Sequence, residues 1–186
     1  MGWECPDKIF IPVGDGSIIS GVWKGFVDLF EIGFINRLPQ LIACQAEKSD
    51  AIKRAFESDG VIRPVKGNSI ADSISVSFPR DGDAAVKAIK ESRGFAISVS
   101  DERIIQAIPK LARETSVFGE PVGVTPLAAL QKAVSNNIIK DGEKIIVLVT
   151  GNGLKDINSA MKSVGRPMKI NPDIKELEKI VSKGLV

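Results

Sequence analysis

The chain predicts an α/β protein: an open, mostly parallel sheet with helices on both faces, three layers in all. Short apolar, β-branched runs alternate with longer amphipathic segments, the pattern of strands joined by crossover helices. Two of those runs, Ile9 to Val13 and Lys144 to Val149, stop at glycine-rich turns, as a buried parallel strand does where it feeds the next helix.

Each element has its own signal. The run Ile9 to Val13 is uninterrupted by polar residues and reads as a buried strand. After Gly14-Asp15-Gly16-Ser17, an amphipathic helix carries Ile19, Val22, Trp23, Phe26 and Phe30 on one face. Leu41 to Gln45 is a second strand, and Ser49 is the expected cap of a helix ending near Ser58. Pro64, Gly67, Asn68 and Pro79 break the next stretch, leaving room for one short helix around Ile70 to Ser75. Asp81 or Asp83 opens a helix through Lys90, and Phe95 to Val99 is a third strand. Ser100, followed by Asp101 and Glu102, caps a helix through about Arg113. Phe118 to Gly123 is a tight turn, and small and apolar residues predict a helix from Pro126 to Val134. Lys144 to Val149 is a buried strand closed by Thr150-Gly151-Asn152-Gly153, and a last helix spans Asp173 to Lys183.

Gly14 to Ser17 is the most informative turn. Small residues let backbone N–H groups approach a ligand, and the following helix points its positive end at the same place. Such a turn either serves only to feed the strand into the helix or holds an anion, most simply a phosphate. It is not the dinucleotide fingerprint, which needs a third glycine where Ile19 stands and an acidic residue near Phe34 and Ile35. No Gly-Lys-Ser/Thr triplet is present, so it is not a P-loop either. Ligands of open α/β sheets sit beyond the carboxyl ends of the strands. Both glycine-rich turns occupy such ends, so they are expected to share one site.

Composition narrows the classes. The 186 residues are 44% hydrophobic and 26% charged, with a net charge of +2 and 5% aromatic residues. Dispersed basic residues with few aromatics give no footprint for nucleic acid. There is no histidine, which excludes Ser-His and Cys-His catalysis and the usual zinc sites within this chain. Cys5 and Cys44 lack metal-ligand spacing and fit free, buried thiols in a reducing cytoplasm. No apolar run has membrane-spanning length, and Met1 to Pro6 has no signal-peptide or myristoylation pattern. No metal site and no membrane partner are expected.

Taken together, the motifs resemble the C-terminal half of threonine synthase, a fold-type II enzyme that uses pyridoxal 5′-phosphate (PLP). Pro12-Val13-Gly14-Asp15-Gly16-Ser17-Ile18, continuing to Trp23-Lys24-Gly25-Phe26, is similar to that family's phosphate loop and helix. Gln45-Ala46-Glu47, Ser69 to Ile74, Phe118-Gly119-Glu120-Pro121 and Thr150-Gly151-Asn152-Gly153-Leu154-Lys155-Asp156 resemble further family segments, in the family's order. The resemblance implies one α/β domain over residues 1–186, corresponding to part of the large domain, with the family's N-terminal half absent.

It also implies a site. Gly14, Asp15, Gly16, Ser17 and Ile18 would cradle the PLP phosphate, and the Thr150 hydroxyl would meet the pyridine nitrogen. Asp15 suits a phosphate loop only if its side chain turns away to bond backbone N–H groups. Glu120 reads as a solvated cap, Lys155 and Asp156 as helix-start residues, Lys24 as a stem over Trp23 and Phe26, and the tryptophans as core or interface anchors. The family's Schiff-base lysine lies in its N-terminal half, and no lysine here matches that motif, so no catalytic residue is assigned. The expectation is therefore the C-terminal portion of an enzyme making threonine and phosphate from O-phosphohomoserine and water, inactive alone. Its partners would be the lysine-bearing half, a small-molecule substrate and further copies of itself, since the missing half would leave apolar surface exposed. The alternatives are half of a related enzyme, such as a threonine dehydratase or a β-replacing lyase, or a non-catalytic phosphate-binding or interaction module.

Overall fold

The computed structural model describes residues 4–166 and 168–182. Among them, four parallel strands form one sheet in the order β3-β2-β1-β4: β1 (Lys8–Pro12), β2 (Gln40–Ala46), β3 (Phe95–Val99) and β4 (Ile145–Val147). β1 is central although it comes first, with Ile9 opposite Leu41 on one side and Ile146 on the other. Side chains alternate across the pleat. Ile9, Ile11, Leu41, Ala43 and Ala96 face one layer, built from α1 (Ser17–Glu31), α2 (Ala51–Glu57) and α3 (Gly82–Glu91). Phe10, Ile42, Cys44, Ile97 and Val99 face the other, built from α4 (Asp101–Thr115) and α5 (Pro121–Ser135). This is the three-layer sheet that the alternation predicts. Burying one of its Ile, Leu or Phe side chains contributes about 1.5–3 kcal/mol.

Several boundaries differ for physical reasons. The helix predicted from Pro126 begins at Pro121, because proline suits the first helical position, where its missing N–H is no loss. Ser49 caps nothing. Its hydroxyl accepts from the Val76 N–H at 2.8 Å and lies 2.9 Å from the carbonyls of Ile74 and Val76, pinning the irregular stretch to the sheet. Ser100 does cap α4, accepting from the Arg103 N–H.

The third strand falls where its sequence places it, whereas Lys144 to Val149 is shorter and less buried than its apolar run suggests. β4 is an edge strand, half-exposed at every residue, while the opposite edge β3 is buried. The short helix of the irregular stretch is a 3₁₀ turn, Asp72–Ile74. Two more elements follow, α6 (Ile157–Val164), which the sequence pattern does not announce, and α7 (Ile174–Val181). Lys183, the expected end of the last helix, lies outside the described residues, as does Trp3.

Cys5 and Cys44 are free and buried, and burial pushes the Cys44 thiol well above its ordinary pKa. No helix among the described residues is long and apolar enough to cross a membrane, and no cluster of metal-ligating side chains occurs among them.

Candidate functional site

The two glycine-rich turns meet. Past the carboxyl ends of β1 and β4, a cavity of about 350 Å³ is lined by Gly14, Asp15, Gly16, Ser17 and Ile18 on one side and Thr150 on another, with Ser73, Glu120 and Lys155 completing the wall. All six residues singled out in the sequence therefore share one concavity. Thr150 is exposed to it.

The backbone dictates the loop's shape. Gly16 sits at φ +105°, a region L side chains rarely adopt, and a β-carbon there would fall 2.6 Å from the Asp81 carbonyl oxygen. The loop thus lies flush against the start of α3, and two contacts lock it there. The Asp81 N–H donates to the Asp15 carbonyl at 2.9 Å, and the Ser20 hydroxyl donates to the Asp81 carboxylate at 2.6 Å. The Asp15 side chain turns out of the turn and accepts from the Arg80 N–H at 3.0 Å, as the sequence reading requires of an acid in that position. On the sheet side, buried Gln45 donates to the Val13 carbonyl at 3.2 Å and accepts from the Lys53 N–H at 2.9 Å, tying the end of β1 to α2.

What remains open is the start of α1. Its N-cap is Gly16, which offers no side-chain acceptor, and its first turn holds no acid. α4, α6 and α7 have a side-chain cap, from Ser100, Asp156 and Asp173; α2, α3 and α5 have none, but each of those three starts at an acidic residue, Asp50, Asp81 or Glu120, whereas α1 starts at a glycine. First-turn N–H groups have no intrahelical acceptor, so α1 directs uncapped donors and its positive end at the cavity.

The opposite wall is laced backbone to backbone. Gly119 and Asn152 form an antiparallel bridge, the Glu120 N–H donates to the Gly151 carbonyl at 3.0 Å, and the Gly153 N–H donates to the Phe118 carbonyl at 2.9 Å. Glu120 is no solvated cap. Its side chain is only 10% exposed and pairs with Lys155 at 3.4 Å. Asp156 does start a helix: its carboxylate accepts from the Ser159 N–H and caps α6, and bonding to Ser159 holds its pKa below the usual range. Lys24 is exposed, pairs with Asp28 and does not line the cavity. Trp23 is buried in the core and donates to Glu91 at 2.8 Å.

Sequence reading gave Ser20 no role and Asp81 only that of a helix opener, and it placed Ser73 and Gln45 in segments of family resemblance without a supporting role. Only Gln45, a polar residue inside an apolar strand, carries a visible signal.

The profile of the family described as "Pyridoxal-phosphate dependent enzyme" matches residues 1–151. The chain belongs to the pyridoxal-phosphate-dependent enzyme family. Within that family it is 35% identical to the threonine synthase of Methanocaldococcus jannaschii over 185 residues, which make up 98% of this chain and 46% of that protein. It is 36% identical to the threonine synthase of Halalkalibacterium halodurans over 171 residues, 92% of this chain and 45% of that one. The chain spans about half the length of the curated relatives it matches. Among solved structures, Escherichia coli threonine synthase superposes with a TM-score of 0.66 at 16% identity, over 98% of this chain and 44% of that chain. A fungal L-serine ammonia-lyase from Rhizomucor miehei gives 0.69 at 21% identity, over 84% and 50%. These two likenesses establish the fold, a fold-type II PLP enzyme architecture.

Proposed function

We propose that this chain is the cofactor-binding C-terminal portion of a threonine synthase, whose complete form converts O-phosphohomoserine and water to threonine and phosphate. The observation that carries the reading is the pairing of an uncapped helix start with Thr150 across one cavity, the loop's own acid having turned away.

The donor set suits PLP. Backbone N–H groups from Gly14 to Ile18 and the positive end of α1 would hold the cofactor phosphate without any lysine or arginine. The Thr150 hydroxyl would donate to the ring nitrogen. A hydroxyl leaves that nitrogen unprotonated, where a carboxylate would keep its proton, and the choice sets how strongly the ring withdraws electrons. When bound, PLP supplies that electron withdrawal. This chain's residues would hold the phosphate and the ring nitrogen from the two turns, and Ile18 and Val122 add apolar wall to the cavity.

Proton transfer at the substrate carbons and attachment of the cofactor belong to a lysine outside this chain. Coverage of 46% and 45% of the relatives' length supports a lysine-bearing half that completes the site. Exposed Leu154, Ile157, Met161 and Val164, in the segment that follows Thr150, support association with that half or with a second copy. Size-exclusion with light scattering on the chain alone checks this, and a stable monomer that stays monomeric when concentrated would count against it. Two free, buried thiols are in keeping with a cytoplasmic setting.

Calorimetric titration of the chain with PLP, with inorganic phosphate as competitor, tests the cofactor site. We expect saturable binding that phosphate displaces and that Gly16→Val and Thr150→Ala weaken. Losing one neutral hydrogen bond at Thr150 costs about 0.5–1.5 kcal/mol, a roughly twofold to tenfold loss of affinity. Binding unaffected by either substitution would refute the assignment of the cup.

A further inference from the structure

The pair Glu120–Lys155 is not used by the phosphate cup, yet it forms the wall beside Thr150. The Glu120 side chain packs against Gly151, the residue after Thr150, and lines the same cavity as Thr150. A β-carbon at residue 151 would fall 1.7 Å from Glu120 Oε1, so only glycine lets the acid lie there. Glu120 is buried, and its partner Lys155, 63% exposed, reaches in from the 3₁₀ turn Gly153–Asp156. Among the described residues, Lys155 is the one cation lining the cavity; of the two acids, Asp15 is already turned to Arg80. The adjoining cleft, where Lys155 and Glu120 meet Ser73, adds Asp72 and the α6 cap Asp156.

We infer that Lys155 is a positioning residue for the cofactor ring: by neutralising Glu120 it keeps the Thr150 hydroxyl a donor and the pyridine nitrogen unprotonated. The inference rests on the PLP reading above and extends it. A buried, unneutralised carboxylate at that end of the ring would act in two ways. It would raise the proton affinity of the nitrogen by charge attraction. It would also compete for the Thr150 hydroxyl proton, turning that oxygen from a donor to the ring into an acceptor from it. In both cases the ring gains a proton. Lys155 would offset that charge from the cavity wall, its stem 63% exposed and its ammonium 3.4 Å from Glu120.

The test is the titration of the ring nitrogen, followed by ¹⁵N NMR with PLP labelled at that atom and bound to the chain. In the Lys155→Met chain the midpoint for ring protonation moves up by about one pH unit or more, the low end of what an adjacent opposite charge does. Lys155→Gln behaves in the same way, Lys155→Arg keeps the wild-type midpoint, and Glu120→Gln combined with Lys155→Met restores it. A pair that only braces the fold would alter stability and PLP affinity but leave the midpoint alone. An unmoved midpoint in Lys155→Met and Lys155→Gln, or a double variant that fails to revert, overturns the inference while the cofactor site stands. Failure of the wild-type chain to bind labelled PLP overturns the cofactor reading itself, and this inference with it.

Discussion

Alanine at position 16 and alanine at position 25 add the same methyl group to the same stretch of chain, and the structure predicts opposite outcomes. At Gly16 the backbone is at φ +105°, and the new β-carbon would meet the Asp81 carbonyl oxygen at 2.6 Å and the Ala85 β-carbon at 2.9 Å. Holding an L residue in so sparsely populated a conformation costs about 1–3 kcal/mol. Crowding a methyl against packed neighbours costs a further ~1–3 kcal/mol. Asp81 cannot step back cheaply, because its N–H is bonded to the Asp15 carbonyl of the same loop.

The expected loss is therefore about 2–6 kcal/mol, a large share of the 5–15 kcal/mol typical of a folded domain. Gly25 lies inside α1 with nothing within 4 Å of its would-be β-carbon, so alanine there stabilises by about 0.5–1 kcal/mol through the unfolded chain's entropy. Urea unfolding of both variants beside the wild type reads the difference as midpoints moving apart. PLP titration reads the part of the Gly16→Ala loss confined to the loop, about 30-fold in affinity if 2 kcal/mol falls there. Equal midpoints for the two variants, with unchanged PLP binding in Gly16→Ala, would refute the argument that the loop needs this glycine.

Further predictions concern the supports. Ser49→Ala removes the hydroxyl that holds the Ile74–Val76 backbone; because the Val76 N–H also donates to the Ile74 carbonyl at 3.0 Å, the loss should be about 0.5–1.5 kcal/mol, and an unchanged unfolding midpoint would contradict this. Glu143 and Asp7 clasp the β1–β4 seam, held below the usual carboxylate range chiefly by hydrogen bonds from the Lys8 side chain and the Lys144 N–H, respectively. Because their folded pKa values are depressed, their stabilisation is present above the ordinary carboxylate pKa of about 4 and is lost as pH falls through the folded values. Glu143→Gln should therefore flatten the acid limb of the stability profile, measured by thermal unfolding from pH 7 downward. The raised Cys44 thiol has the opposite sign: its contribution is intact below about pH 8.5 and declines as pH rises towards the folded value. A thiol reagent should label Cys44 only as fast as the chain opens, and rapid labelling of the folded chain would show the strand is not closed.

The sequence was most legible where one physical signal acted alone. Phe95 to Val99 carries a phenylalanine and two β-branched residues with one serine among them, between Gly94 and Ser100, and no glycine or proline interrupts it. Ser100 has two acids behind it, and its hydroxyl is engaged only within its own first turn, accepting from the Arg103 N–H and bonding the Glu102 carboxylate, so it caps. Ser49 presents the same local pattern, but its hydroxyl is claimed by a segment some 27 residues away, and no window around Ser49 contains that fact. Glu120 looked solvated for a similar reason: its burial is produced by Gly151, far along the chain. The run Lys144 to Val149 shows the limit of composition, because apolar character cannot tell a central strand from an edge. For the cup, the glycines and Thr150 were visible as types of residue, whereas the clamp through Asp81 and Ser20 is purely tertiary.

The strand order also sets a sequence of events. β1 is made more than 130 residues before its partner β4, so the Lys8–Glu143 clasp, 135 residues apart in sequence, closes a long loop. Closing such a loop costs entropy before its contacts repay it. A chain emerging from the ribosome can pair β1 with β2 and β2 with β3 while residues 145–147 are still unmade. Thr150 rides on that late strand. The glycine cup is thus assembled early and its opposing hydroxyl last, so a chain halted before β4 docks could seize a phosphate but could not recognise a ring, and selectivity would arrive only with the completed fold.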